Sequence, residues 1–184
     1  MGIKFAVDEK FFSRWNHKMA YVLGFIYADG CMYISARGNY VSIISTDEEI
    51  ILKIKRWIKS DHNIIIENPF RPGSKTRFRL RIGNKRLYES LENIGLCHSK
   101  SLIMRMPIVP AKFFKDFVRG YFDGDGCVNI CRAKGKRQEI ILKKLSVIFT
   151  SGSQQFLKDL LGMLRKKLIL RQNKIYDSHR SYQL

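Results

Sequence analysis

Two stretches of this chain repeat one pattern. Val22–Gly30 reads VLGFIYADG and Val118–Gly126 reads VRGYFDGDG, both apolar, glycine-interrupted helical runs that end in Asp-Gly. On the first, Ala20, Gly24 and Ala28 recur every four residues, and Gly120 and Gly124 do the same on the second. That spacing puts them on one helix stripe, and a stripe without bulk lets two helix backbones come close. Gly inside a helix otherwise costs about 1 kcal/mol relative to Ala, so close approach is what justifies it. Leu23, Phe25 and Ile26, with Val118, Tyr121 and Phe122, are then expected to face the cores of their own halves. Each helix delivers one carboxylate, Asp29 or Asp125, at its C-terminal end.

Gly is favoured just past a helix end, so Asp-Gly also reads as a plain helix terminator. That accounts for the glycines and not for the acids, because a carboxylate at a helix C-terminus opposes the helix dipole. An unfavourable placement made twice points to a bound cation. Paired carboxylates suit divalent metal held against a phosphodiester. Two such helices side by side should bring the Asp29 and Asp125 carboxylates within about 8 Å of each other.

The charge balance agrees with a phosphodiester. Lys and Arg number 34 against 16 Asp and Glu, a formal charge of +18, and the commonest polyanionic partner of such a chain is nucleic acid. With 184 residues, 45% of them hydrophobic, the chain can bury one substantial core or two small fused ones. The apolar stretch from Ala20 stops at Asp29, short of the roughly 20 residues a bilayer needs. Asp8-Glu9 sits where a signal peptide would be apolar. An intracellular protein without a membrane partner is expected. Cys31, Cys97, Cys127 and Cys131 form no CxxC pair for zinc and read as small buried thiols.

The segments after the two aspartates are also parallel. After Asp29 come Met32–Ser35, a turn at Arg37-Gly38-Asn39 and Val41–Ser45. After Asp125 come Val128–Cys131, a longer basic turn through Lys134-Gly135-Lys136 and Leu145–Thr150. Each half thus offers a hairpin, the second with about eight extra residues placed in its loop tip. A capping-box pair then opens a helix in each half, Thr46 with Glu49 and Ser151 with Gln154. Ile50, Ile51, Ile54, Trp57 and Ile58 form the first apolar face; Phe156, Leu157, Leu160, Leu161, Leu164 and Leu168 form the second. Strands at Asn63–Glu67 and Arg77–Ile82 and a helix over Lys85–Ile94 complete the first half. Ile169–Tyr176 and Ser181–Leu184 match its last two strands, and no counterpart of Lys85–Ile94 comes after them. Leu102–Pro110 reads as an extended connector packed along the body, with Pro110 placed to start the next helix.

The motifs, with the lead-in from Phe117, resemble those of the LAGLIDADG homing endonucleases of single-chain, pseudo-symmetric type. The resemblance covers nearly the whole chain; Tyr27 stands where the first motif of the family has an earlier acid. It implies an α+β fold of two pseudo-symmetric αββαββα repeats, 1–100 and 111–184, joined by a connector at 101–110. The second repeat is expected to lack its last helix. The motif helices would pair centrally, and two four-stranded antiparallel sheets would form a saddle in the DNA major groove. Asp29 and Asp125 would bind the catalytic metals, with the backbone carbonyls of Ala28 and Gly124 as further contacts. Lys100 would help to organise the attacking water, and Asp123 would have a structural role.

The implied activity is site-specific double-strand cleavage by a monomer on a long pseudo-palindromic or asymmetric target, with hydrolysis across the minor groove. Mg²⁺ would be the cofactor, Mn²⁺ would substitute, and Ca²⁺ would bind without supporting cleavage. Such a protein would be associated with an intron or an intein. The alternative is a non-cleaving binder, an intron RNA maturase or a DNA-binding regulator. The altered first motif and the missing helix favour it; retention of both aspartates opposes it.

Independently of the resemblance, RFRLRI at Arg77–Ile82 alternates charge and apolar residues with period two. One face of that strand carries Arg77, Arg79 and Arg81, which repel one another unless an anion lies there. Tyr33, Ser35, Ser42, Ile44, Asn129, Cys131, Ser146 and Ile148 occupy comparable alternating positions. Arg180 and Tyr182, at the last strand, join the DNA-facing set. Arg37, Arg132, Lys134, Lys136 and Arg137, near the hairpin tips, are expected to meet phosphates.

Overall fold

The computed structural model describes residues 5–69, 71–98, 102–134, 140–170 and 173–184. Lys100, Lys136 and Arg137 lie outside the described residues. The chain forms two compact units, 1–100 with Pro107–Gly124, and Ser101–Met106 with Asp125–Leu184. Compactness thus divides the chain at Gly124 as well as at the connector, because the second motif helix packs with the first unit.

In the first unit, α1 (His17–Asp29) is capped by Asn16, whose side chain accepts from Met19 N–H at 2.9 Å. Met19–Tyr27 are all buried, as expected for a central helix without a polar face. The chain turns directly into β1 (Gly30–Ser35), then β2 (Gly38–Ser45), α2 (Glu48–Trp57), β3 (Ile64–Glu67), β4 (Arg77–Gly83) and α3 (Lys85–Asn93). After the connector, α4 (Phe114–Asp125) carries the second motif. The strands form an antiparallel sheet in the order β1-β2-β4-β3. Met32, Val41, Ile43, Leu80 and Ile82 share its inner face and are buried, as are Ile51 and Ile54 of α2 and Leu87 and Leu91 of α3.

The second unit repeats the sheet. β5 (Gly126–Lys134), β6 (Ile140–Ser151), β7 (Tyr176–Asp177) and β8 (Tyr182–Gln183) take the order β5-β6-β8-β7, with α5 (Gln154–Lys167) after β6. Arg105 Nε donates to Asp159 at 2.8 Å and Ser153 Oγ donates to the Met104 carbonyl at 2.7 Å, tying the 102–106 segment to α5. Fold class α+β, with two four-stranded antiparallel sheets and five helices among the described residues, is as the sequence predicts.

Several local expectations change. The helix caps are Asp47 and Ser153 rather than Thr46 and Ser151, since those side chains reach the orphan N–H groups of the first turn. Pro110 opens a turn, and α4 begins at Phe114. Much of the extra length of the second hairpin goes into strand: β5 and β6 have 9 and 12 residues against 6 and 8 in β1 and β2. The third and fourth strands of that unit shrink to two residues each. Leu168 is exposed beyond α5, and Cys31, Cys127 and Cys131 are exposed rather than buried. Alternation puts Cys31 and Cys127 on the outer faces of their sheets. No helix of the described residues is long and apolar enough to cross a membrane.

Candidate metal centre and nucleic-acid interface

The glycine stripes do what their spacing requires. A methyl group on Gly24 would strike the Phe117 carbonyl, one on Gly120 the Tyr21 carbonyl, and one on Gly124 the Ala28 methyl. His17 Nδ1 and Asp116 Oδ2 are paired at 2.6 Å, and the Tyr27 and Phe117 rings meet edge to face at 5.5 Å. The pairs His17/Asp116, Tyr21/Gly120 and Ala28/Gly124 run in the same order, so α1 and α4 are parallel and end together. Asp29 Oδ2 lies 3.3 Å from where a Cβ of Gly124 would stand. Asp29 and Asp125, the last residues of their helices, are both half-buried.

Gly30 is not a left-handed helix terminator. Its φ of −94° and ψ of 152° are extended, and its N–H still bonds to the Ile26 carbonyl. The side chain is excluded by space, since a Cβ there would lie 2.5 Å from Ile26 Cγ2. Gly30 still caps the end of α1, but a left-handed conformation is not what selects glycine there. The glycine lets the chain leave α1 straight into β1 with Asp29 at the junction.

Asp123 belongs to a separate network. Tyr21 Oη donates to Asp123 Oδ2 at 2.5 Å and accepts from Lys53 Nζ at 2.8 Å, which binds α1 to α4 and to α2. Lys53 also lies 4.1 Å from the Tyr21 ring centre and Arg119 lies 5.0 Å from it. Burial and the Asp123 carboxylate push the Tyr21 hydroxyl well above its ordinary value; burial pulls the Lys53 ammonium down. The structural role expected of Asp123 agrees with this geometry.

In the first sheet the register puts Tyr33, Ser35, Ser42, Ile44, Arg77, Arg79 and Arg81 on one face, opposite the core. Tyr33 stacks on Tyr40 at 5.3 Å, and Arg81 lies 5.7 Å from the Tyr40 ring centre. Ser42, expected to face a ligand directly, is buried and accepts from Arg79 Nη1 at 3.1 Å. The sequence reasoning missed Glu67, whose carboxylate takes Arg79 Nε at 2.5 Å and Arg77 Nη2 at 3.1 Å. These arginines hold its carboxyl below the usual range, the Arg79 hydrogen bond most of all. A strand-ending acid before an arginine-alternating strand was the available signal. Arg37 is exposed in the two-residue turn between β1 and β2.

In the second sheet Asn129, Cys131, Ser146 and Ile148 share a face with Lys144, Thr150 and Gln183. A groove of about 540 Å³ includes Asn129, Lys144, Ser146, Ile148, Lys174 and Tyr176 in its lining. Arg132 and Lys134 are exposed past the bulge at Cys131/Arg132. Arg180 is exposed in the turn before β8, with φ of 80°. Tyr182 departs from the expectation: it pairs with Ser151, and period-two alternation puts it on the side of Phe149, away from Ile148.

No group of three or more His, Cys, Asp or Glu that could hold a metal occurs among the described residues. A pair of helix-end carboxylates with neighbouring carbonyls still suits a hard divalent ion that keeps water or phosphate oxygens as its other ligands. The Asp29 carboxylate lies beside the Gly124 end of α4, its Oδ2 3.3 Å from an ideal Gly124 Cβ position, which is consistent with that donor set.

Comparison with known proteins agrees with this architecture. Residues 114–183 match the family model described as LAGLIDADG-like domain. The chain is 29% identical over 133 residues to the DNA-directed RNA polymerase subunit Rpo1C of Methanocaldococcus jannaschii. That match takes in 70% of this chain and 15% of the subunit, so the chain spans a small part of the curated relative. The homing endonuclease I-DmoI in complex with DNA and Ca superposes with a TM-score of 0.59 at 20% identity, over 96% of this chain and 82% of that one. Full-length DUF199/WhiA from Thermatoga maritima gives 0.60 at 14% identity, over 96% of this chain and 54% of that one. Residues 114–183 thus match a LAGLIDADG-like domain in sequence, and the chain as a whole has the fold of the LAGLIDADG homing endonucleases.

Proposed function

We propose that this protein is a site-specific, divalent-metal-dependent DNA endonuclease. The observation that supports the reading is the close packing of α1 and α4 through Gly24, Gly120 and Gly124, with an acid as the last residue of each helix. Asp29 and Asp125 would hold Mg²⁺, helped by the carbonyls of Ala28 and Gly124; bound metal supplies an acidified water and neutralises charge on the phosphate. The side chains themselves then do little acid–base work. They hold position, and the sheet faces bind the duplex. Lys100 is the proposed organiser of the attacking water. The targets are long duplexes read in the major groove through the Arg77/Arg79/Arg81 face and the Asn129/Ser146/Ile148 face. I-DmoI has been seen with DNA and Ca, and a doubly substituted variant of it with nicked target DNA in the presence of Mn, which supports a duplex partner and a divalent ion.

The second reading is a non-cleaving binder. Its support is that Tyr27, at the acid position of the first motif, is buried against Phe117. One experiment separates the two. The chain is challenged with a randomised duplex library in Mg²⁺ or Mn²⁺, and both bound and cut molecules are sequenced. Cleavage that Asp29→Asn or Asp125→Asn abolishes, with binding kept in Ca²⁺, supports the nuclease. Selection of a defined duplex that is never nicked establishes the binder.

A further inference from the structure

Glu67 is an acid on the sheet face proposed to meet a polyanion, where simple electrostatics would forbid it. Its two oxygens are spent on Arg79 Nε, at 2.5 Å, and on Arg77 Nη2, at 3.1 Å. Arg79 is held from a second side by the buried hydroxyl of Ser42, at 3.1 Å from Nη1. Those contacts use two of the five guanidinium donors and leave Nη2 with one Nη1 hydrogen. The Arg79 side chain is also the less exposed of the two, at 32% against 58% for Arg77. A guanidinium fixed on two sides is pre-organised, and less freedom is lost when its open edge binds.

We propose that Glu67 is a positioning residue that, with Ser42, aims the open edge of Arg79 at a guanine of the target. This rests on the reading of the sheet face as a major-groove surface. A free arginine on that face would track phosphates and contribute to affinity on any sequence. A fixed one presents two parallel donors in one direction, the geometry that guanine O6 and N7 accept. Glu67 thus gives up general attraction for DNA in exchange for discrimination at one base pair.

The test is competitive binding of the full chain to the duplex it selects and to the three single-base variants at each position, in Ca²⁺. Arg79→Ala identifies the base pair that Arg79 reads. Glu67→Ala should then lose discrimination at that pair by about tenfold, within the range a bidentate contact supplies. Its affinity for unrelated duplex should hold or rise, since a negative charge has gone. Glu67→Gln, which keeps an acceptor for Arg79 Nε, should recover part of the discrimination while keeping the gain on unrelated duplex. Discrimination unchanged in Glu67→Ala, or an equal loss on all sequences, overturns the proposal with the DNA reading intact. Failure of the parent chain to prefer any duplex overturns both.

Discussion

Gly120 packs against the Tyr21 carbonyl with no room for a methyl group between α4 and α1. The same holds for Gly24 against the Phe117 carbonyl, so backbone rather than flexible side chain sets the helix separation. Gly120→Ala should therefore destabilise the protein by at least the roughly 1–3 kcal/mol typical of overpacking, because neither carbonyl can move without breaking its own helix. Gly162, inside α5, has open space where its Cβ would stand. Gly162→Ala should stabilise by up to about 1 kcal/mol through helix propensity alone. Thermal unfolding of both variants checks this. Equal effects of the two would show that the α1–α4 contact is looser than described.

The seam was legible because small residues at four-residue spacing have one economical explanation. The hairpins and the arginine strand were legible for a similar reason, since period-two alternation fixes which side chains share a face. The site was harder to read wherever a side chain's partner lies on another strand. Ser42 alternated with the outer face, and nothing local showed that Arg79 would cover it. Glu67 reaches Arg79 diagonally across a strand pair twelve residues away, a contact that depends on register. Tyr182 was misplaced because the face of a two-residue strand is set by its pairing with Ser151. The cap at Asp47 was missed by one position because Thr46 offered the same chemistry beside it.

His62 gives the fold a pH dependence. It is buried at the end of the α2–β3 connection, with Nδ1 2.9 Å from Ser60 Oγ. The Gly83 N–H donates to its Nε2 at 3.3 Å, so the ring is neutral with its proton on Nδ1. Burial holds its pKa below the ordinary 6.5, with Lys55 adding to the shift and Asp61 opposing it. Between the lowered folded value and 6.5 the unfolded chain binds the extra proton, so stability rises with pH there. The contribution is complete above about 6.5 and is lost as pH falls through the folded value, with a slope of at most about 1.4 kcal/mol per pH unit. Chemical denaturation at pH 7.5 and pH 5.5 should show this loss, and His62→Gln should reduce it. A variant with the parent's pH slope would assign the effect to another group.

The two sheets should read different bases at equivalent places. Gly30 pairs with Ile43, and Gly126 pairs with Phe149, which aligns the hairpins. One residue on, Ile44 pairs with Arg79 in the first sheet and Thr150 pairs with Gln183 in the second. Gln183 thus occupies the place of Arg79. Arg79 pairs with Ile65, two residues before Glu67, whereas Gln183 pairs with Tyr176, two residues before Ser178, so no acid stands at the matching place. Arginine pairs two donors with guanine, whereas glutamine matches the donor and acceptor of adenine N6 and N7. The selected duplex should therefore be asymmetric, with guanine in one half at the step where the other half has adenine. Gln183→Arg should move that second preference from adenine toward guanine, and Arg79→Gln should do the reverse in the first half. Each exchange should change discrimination by about 1–3 kcal/mol at its own base pair and leave the other half untouched. Binding-site selection with the parent and both variants reads this directly. A palindromic consensus, or a shift in both halves from either substitution, would mean that these two positions do not read bases.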